Sequence, residues 1–159
     1  MKIEELSIGD WVCAKQTKWE DTDPEMTPPM RVVVIDNREP KNAYVDLTFG
    51  DGSISHSAFI EDLQPVPLTA EILRANGWEC IAVGDNGPST PKQHYNRYEK
   101  WRCETKWGYR EMFFDRMTKM WRFSGMNSIN FTEVHKLQHA IRFSGFYNYE
   151  IEKMPCTTK

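Results

Sequence analysis

Two histidines stand four residues apart in Val134-His135-Lys136-Leu137-Gln138-His139-Ala140. On a helix that spacing brings both imidazoles to one face, as a chelated metal ion requires. A zincin helix would carry Glu directly after its first His, where the general base is needed. Lys136 stands there instead, and the sequence indicates no third ligand. His135 and His139 are thus the candidate metal ligands of a small metal-dependent or hydrolytic enzyme. The plainer expectation is a pair of surface or partly buried histidines on an amphipathic helix.

Other reactive groupings are less complete. Asp21, Asp23 and Glu25 alternate like the start of a calcium loop, but Met26 holds the place of the required Gly and Val32 that of the closing acid. Gly84-Asp85-Asn86-Gly87-Pro88-Ser89 follows a strand without forming a dinucleotide fingerprint or a phosphate loop, and Pro88 removes an amide donor. Ser53, Ser55 and Ser57 around His56 offer hydroxyls and a base, with no orienting acid or oxyanion hole marked. Cys103 follows Arg102, which could lower its pKa, although a buried structural thiol is the commoner outcome. No catalytic residue and no cofactor are therefore expected.

A basic and aromatic stretch carries more information. Tyr95, Arg97, Tyr98, Lys100, Trp101, Arg102, Lys106, Trp107, Tyr109 and Arg110 interleave the two residue types that bind single-stranded nucleic acid. Rings stack on bases and cations follow phosphates. The candidate binding residues are Tyr95, Arg97, Tyr98, Lys100, Trp101, Arg102, Trp107 and Arg110. A sheet with one packed face gives the same alternation, with rings in a core and cations in water. Ring exposure discriminates the two.

Around these residues the chain divides at Leu63 to Trp78. Pro65 and Pro67 fix an extended approach, Thr69 can cap a short helix, and Asn76-Gly77 stops it. Before that hinge, Gly9-Asp10 turns into a strand at Trp11, Met30 to Asp36 is a β-branched strand, and Ala43 to Thr48 and Ser53 to Phe59 follow, with a 3₁₀ turn near Ile60 to Leu63. After it, Trp78 to Val83, Tyr95 to Glu104, Trp107 to Phe114 and Lys119 to Phe123 read as strands, with Trp107, Tyr109 and Phe113 on the packed side. Asn130 and Glu133 have capping-box spacing for a helix with Val134, Leu137 and Ile141 on one stripe, and Tyr147 to Lys153 reads as a last strand. The expected fold is α+β: a small SH3-like β-barrel over 1–64, a hinge with a short helix over 65–78, and an antiparallel sheet with one amphipathic helix over 79–159.

The totals of 159 residues, 40% hydrophobic and 13% aromatic suit a packed globule. No apolar run approaches a bilayer span, and acids stand where a signal peptide would be apolar, so no membrane is expected and a cytoplasmic location is. Cys13, Cys80, Cys103 and Cys156 are dispersed, which favours reduced thiols. Residues 1–64 hold 6 Lys+Arg against 13 Asp+Glu, a balance of −7, whereas 92–122 hold 9 against 4, a balance of +5. Such asymmetry can orient a partner.

Leu6, Gly9, Asp10 and Val12 resemble the first strand of SH3-like barrels. Taken with Pro67-Leu68-Thr69 and Val134-His135-x-Leu137-Gln138, the segment Leu6-x-Ile8-Gly9-Asp10-Trp11 resembles a family of small uncharacterised proteins of gut bacteria, their mobile elements and phages. The resemblance implies architecture and a mobile-element setting, with no activity attached. The expected function is that of a non-catalytic interaction protein of a phage or mobile element, acting through a protein partner. Single-stranded nucleic-acid binding is the alternative, and a small metal-dependent or hydrolytic enzyme a third.

Overall fold

The computed structural model describes residues 1–16, 25–39, 42–49, 56–84, 97–105, 108–124, 130–144 and 149–155. The fold is α+β, with two antiparallel sheets, two α-helices and short 3₁₀ turns among these residues. The chain falls into two compact units. One comprises Met1–Pro67 with Glu133–His135, and the other Leu68–Thr132 with Lys136–Pro155. Among the described residues no helix is long and apolar enough to cross a membrane.

The first unit is a curled half-barrel. Its strands are β1 (Trp11–Gln16), β2 (Glu25–Met26), β3 (Met30–Asp36), β4 (Tyr44–Thr48), β5 (His56–Phe59) and β6 (Leu63–Pro65), in the order β2-β1-β3-β4-β5 with β6 on β1. The expected 3₁₀ turn, Ile60–Asp62, directs the chain back so that Val12 faces Pro65 and Ala14 faces Leu63. Gly9 takes φ 91, open to glycine without steric cost, and the Asp10 carboxylate accepts from Ser7 N at 2.8 Å to close the turn before β1. Alternation then sends Val12, Ala14, Met30, Val32, Val45, Leu47, Ala58 and Leu63 into one apolar core.

A register shift between Val32 and Val34 breaks that alternation in β3. Met30 and Val32 point inward before it, Ile35 packs on the core after it, and Val34 is turned out to 38% exposure. The extra residue bends the strand and raises its twist, which curls the sheet.

The second unit begins with α1 (Ala70–Ala75). Thr69 caps it as expected, its hydroxyl accepting from Ile72 N at 3.3 Å, and Gly77 leaves it at φ 79. Next comes a meander of β7 (Trp78–Gly84), β8 (Tyr98–Thr105), β9 (Gly108–Asp115), β10 (Met120–Phe123) and β11 (Asn130–Phe131), each strand paired with its chain neighbour. Directly paired residues share a face. Trp78, Cys103 and Arg110 form one row; Trp101, Met112 and Phe123 another; Phe114, Trp121 and Phe131 a third. This is the apolar face, with Trp101 set edge-on to Trp121 at 5.7 Å between centroids.

Three local expectations change. Met112, not Tyr109 or Phe113, lies on the buried side of β9, because pairing with Trp101 sets the phase; Trp107 lies outside the described residues. Asn130 is a strand residue rather than a helix cap: Phe131 is buried opposite Trp121, and the helix α2 (Val134–Phe143) starts later, with Val134, Leu137 and Ile141 buried along the expected stripe. Residues 149–155 carry no strand.

Candidate functional site

Two sheet faces present functional groups to solvent. The first is the outer side of β3, β4 and β5. Register aligns Val34 with Asp46 and Ser57 in one row, and Asp36 with Tyr44 and Phe59 in the next. Phe59 is 52% exposed on β5, across β4 and one row along from the turned-out Val34 on β3. The Ser57 hydroxyl donates to Asp46 Oδ1 at 2.6 Å, fixing that carboxylate on the surface. Hydrogen bonds from Arg38 hold the Asp36 carboxyl down to about 2, with Tyr44 adding a smaller effect. The face thus combines two large apolar side chains, a phenol and two carboxylates, in the acidic half of the sequence. An exposed apolar patch rimmed by polar groups is how protein interaction surfaces are built.

The second is the polar side of the meander. Arg122, Phe113 and Lys100 form a row across β10, β9 and β8, with Arg102 and Glu111 in the adjacent row. Glu111 receives Lys100 Nζ at 2.8 Å and Arg102 Nη2 at 2.8 Å. Burial pushes its carboxyl up, but the two cations outweigh that and hold it below its ordinary value. The Arg102 guanidinium also lies over the Tyr109 ring at 4.3 Å, and Lys100 Nζ is 5.9 Å from the Phe113 centroid.

The eight candidate nucleic-acid-binding residues do not gather on one surface. Tyr95 and Trp107 lie outside the described residues. Tyr98 is buried under Arg97, whose guanidinium lies 4.9 Å from the ring centroid. Trp101 is 1% exposed in the core, its Nε1 donating to Glu99 at 2.9 Å and Arg74 standing over its ring. Arg97 is forked onto Asp115, and Arg110 belongs to the opposite face from Arg102, in register with Cys103. Lys100 and Arg102 share a surface and a carboxylate. Sequence reasoning missed Arg122 and Phe113 on that surface, and Val34, Tyr44, Asp46 and Phe59 on the other. Strand alternation could have found Phe59 and Tyr44, whereas Val34 depends on a bulge with no local signal.

The remaining reactive groupings are also separated. α2 buries His135 and leaves His139 half-buried. Among the described residues no three His, Cys, Asp or Glu side chains gather as a metal ion needs. His56 and Ser57 are consecutive on β5 and so face opposite sides, with the Ser57 hydroxyl turned to Asp46; Ser53 and Ser55 lie outside the described residues, as do Asp21, Asp23 and the 85–96 segment. Burial pushes the Cys103 thiol up, opposed by a hydrogen bond with Tyr149. Arg102 does not lower it, because Arg102 projects from the other side of β8 toward Glu111.

Comparison with protein-family models, with curated proteins and with solved structures finds no match.

Proposed function

We propose that the chain is a non-catalytic interaction protein of a phage or mobile element, acting by binding another protein through the outer side of β3, β4 and β5. The observation that carries this reading is the exposed pair Val34 and Phe59 interleaved with Asp36, Tyr44 and Asp46. Buried at an interface, Phe59 and Val34 would supply apolar area of roughly 25 cal/mol per Å² covered. Asp46 would set register and disfavour acidic partners, whereas Asp36 is already paired with Arg38. The mobile-element setting rests on the sequence resemblance.

Replacing Phe59 with a photo-crosslinking phenylalanine analogue in cells that express the protein tests this. A single reproducible adduct is expected, abolished by Asp46→Lys. An adduct pattern unchanged by Asp46→Lys, or none above a control site at Lys119, would defeat the reading.

The nucleic-acid reading is favoured by the Arg122, Phe113 and Lys100 row, where a ring lies between two cations. Glu111 weakens it, since a phosphate would have to compete for both Lys100 and Arg102. Salt-dependent retardation of single-stranded DNA, lost in Arg102→Glu with Arg122→Glu, would place this reading first.

A further inference from the structure

Asn76 is followed by Gly77. In a flexible chain that dipeptide deamidates. The glycine nitrogen loses its proton to a solvent base and bonds to the asparagine Cγ, the Cγ–Nδ2 bond breaks, and Nδ2 departs as ammonia with a proton from water. Water then opens the cyclic imide, leaving aspartate or isoaspartate at position 76. Glycine favours the reaction because no side chain shields its nitrogen and its backbone turns freely.

The fold opposes each movement that the ring needs. Closure requires the Gly77 nitrogen to swing into line with Cβ of Asn76 about the Cα–C bond. At ψ 24 it lies instead close to eclipsing the backbone nitrogen of Asn76, turned away from Cβ. The peptide plane that would have to turn is pinned at both ends: the Asn76 carbonyl accepts from the Tyr149 hydroxyl, and Gly77 N donates to Arg74 O at 3.1 Å. The side-chain amide is held as well. Nδ2 donates to Ile72 O at 2.8 Å and Lys153 O at 2.7 Å, while Oδ1 accepts from Glu152 N at 2.8 Å and Lys153 N at 3.0 Å. Two carbonyls on one side and two amides on the other fix which atom is the nitrogen. Burial gives no such protection, since Gly77 is exposed to water.

We propose that Asn76-Gly77 is a deamidation site that hydrogen bonding in the native fold keeps closed, and that its conversion removes the clamp on residues 152–153. A carboxylate has no proton to offer, so after conversion the Ile72 and Lys153 carbonyls face an oxygen in place of a donor. Isoaspartate also adds a methylene to the backbone where α1 ends. The reaction needs water alone as co-reactant, and no partner.

The full chain is kept in mildly alkaline buffer with or without guanidinium chloride, and deamidation is followed over time by tandem mass spectrometry of the tryptic peptide 75–92. That peptide carries both Asn76-Gly77 and Asn86-Gly87. In denaturant the two pairs should react at similar rates, which fixes the intrinsic reactivity of Asn76. In the native chain Asn76 should react more slowly than this by about tenfold or more, since more than one neutral hydrogen bond must open. Tyr149→Phe frees one end of the peptide plane and should speed the native reaction about fivefold, the factor that one such bond is worth, with the denatured rate unchanged. Should that variant not fold, the ratio of native to denatured rates in wild type decides alone. Asn76→Asp should melt below wild type. Equal rates at Asn76 with and without denaturant, a folded Tyr149→Phe chain that reacts no faster, or an Asn76→Asp chain as stable as wild type overturns the proposal.

Discussion

Arg97 and Asp115 form a forked ion pair: Arg97 Nε reaches both carboxylate oxygens at 3.2 Å, and Nη2 reaches Oδ2 at 2.7 Å. Asp115 Oδ1 also accepts from Met117 N at 2.9 Å, so the same carboxylate organises the turn that carries Lys119 at φ 58 into β10. The bonds from Arg97, helped by those backbone amides, hold the Asp115 carboxyl down to about 2 from an ordinary 3.8. A carboxyl depressed on folding stabilises the native state above its unfolded pKa, and that contribution fades as pH falls through the folded value. The stabilisation should be complete above about pH 4 and largely gone near pH 2. Urea unfolding of wild type and Asp115→Asn at several pH values checks this. The gap between them should be widest near neutrality and narrow on acidification; a gap independent of pH would show that the pair carries no linkage.

Thr27 and Ala14 exchange two bonds in the first unit, Thr27 N to Ala14 O at 2.7 Å and Ala14 N to Thr27 Oγ1 at 2.9 Å. Thr27 is buried, so no water replaces the hydroxyl. Thr27→Val is close in shape but strands the Ala14 amide, and should cost about 1–3 kcal/mol in chemical denaturation. Thr27→Ser should recover most of it.

Gly77 has φ 79, and a Cβ added there would meet nothing within 4 Å. Any cost of substitution is therefore conformational and not steric. Gly77→Ala should lower stability by about 1 kcal/mol, and Gly77→Asn by less, since Asn tolerates the left-handed region. Equal losses for the two variants would point to a packing role for the position.

Trp101 and Tyr109 separate core from surface. Trp101→Ala should cost about 3–5 kcal/mol, as expected for an excised buried aromatic. Tyr109 is 54% exposed, and Tyr109→Ala should change stability by no more than about 1 kcal/mol, the scale of its cation–π contact with Arg102. Thermal melts of both variants decide it.

Features set by neighbouring residues were the legible ones. Thr69 as a cap, Gly77 as a stop, the β-branched run from Met30 and the Val134, Leu137, Ile141 stripe all follow from local sterics and periodicity, and each is present. Features set by partners distant in sequence were not. Whether Met112 or Phe113 turns inward depends on its pairing with β8, and Val34 emerges only because the register slips beside it. Asn76 reads as a helix terminator, yet its amide also secures a backbone 77 positions further on. Of the eight candidate binding residues, Lys100 and Arg102 share one surface, but Glu111, whose single carboxylate pairs with both, sits on the next strand and was read only as part of a charge balance.

The two sheets also differ in how far along the chain their strands must search for partners. β7 to β11 pair in strict succession, whereas the first sheet requires Pro65 to return to Val12. Closing a long loop costs entropy before its contacts reward it, and pairing between distant residues slows folding. The meander should therefore acquire protection first during refolding, with the amides of Val12 to Ala14 among the last, an order that pulse-labelled hydrogen exchange resolves. The half-barrel would then be the later-closing and rate-limiting part of the molecule, so slow refolding should track changes in the β1–β6 seam and leave the tryptophan-rich sheet indifferent.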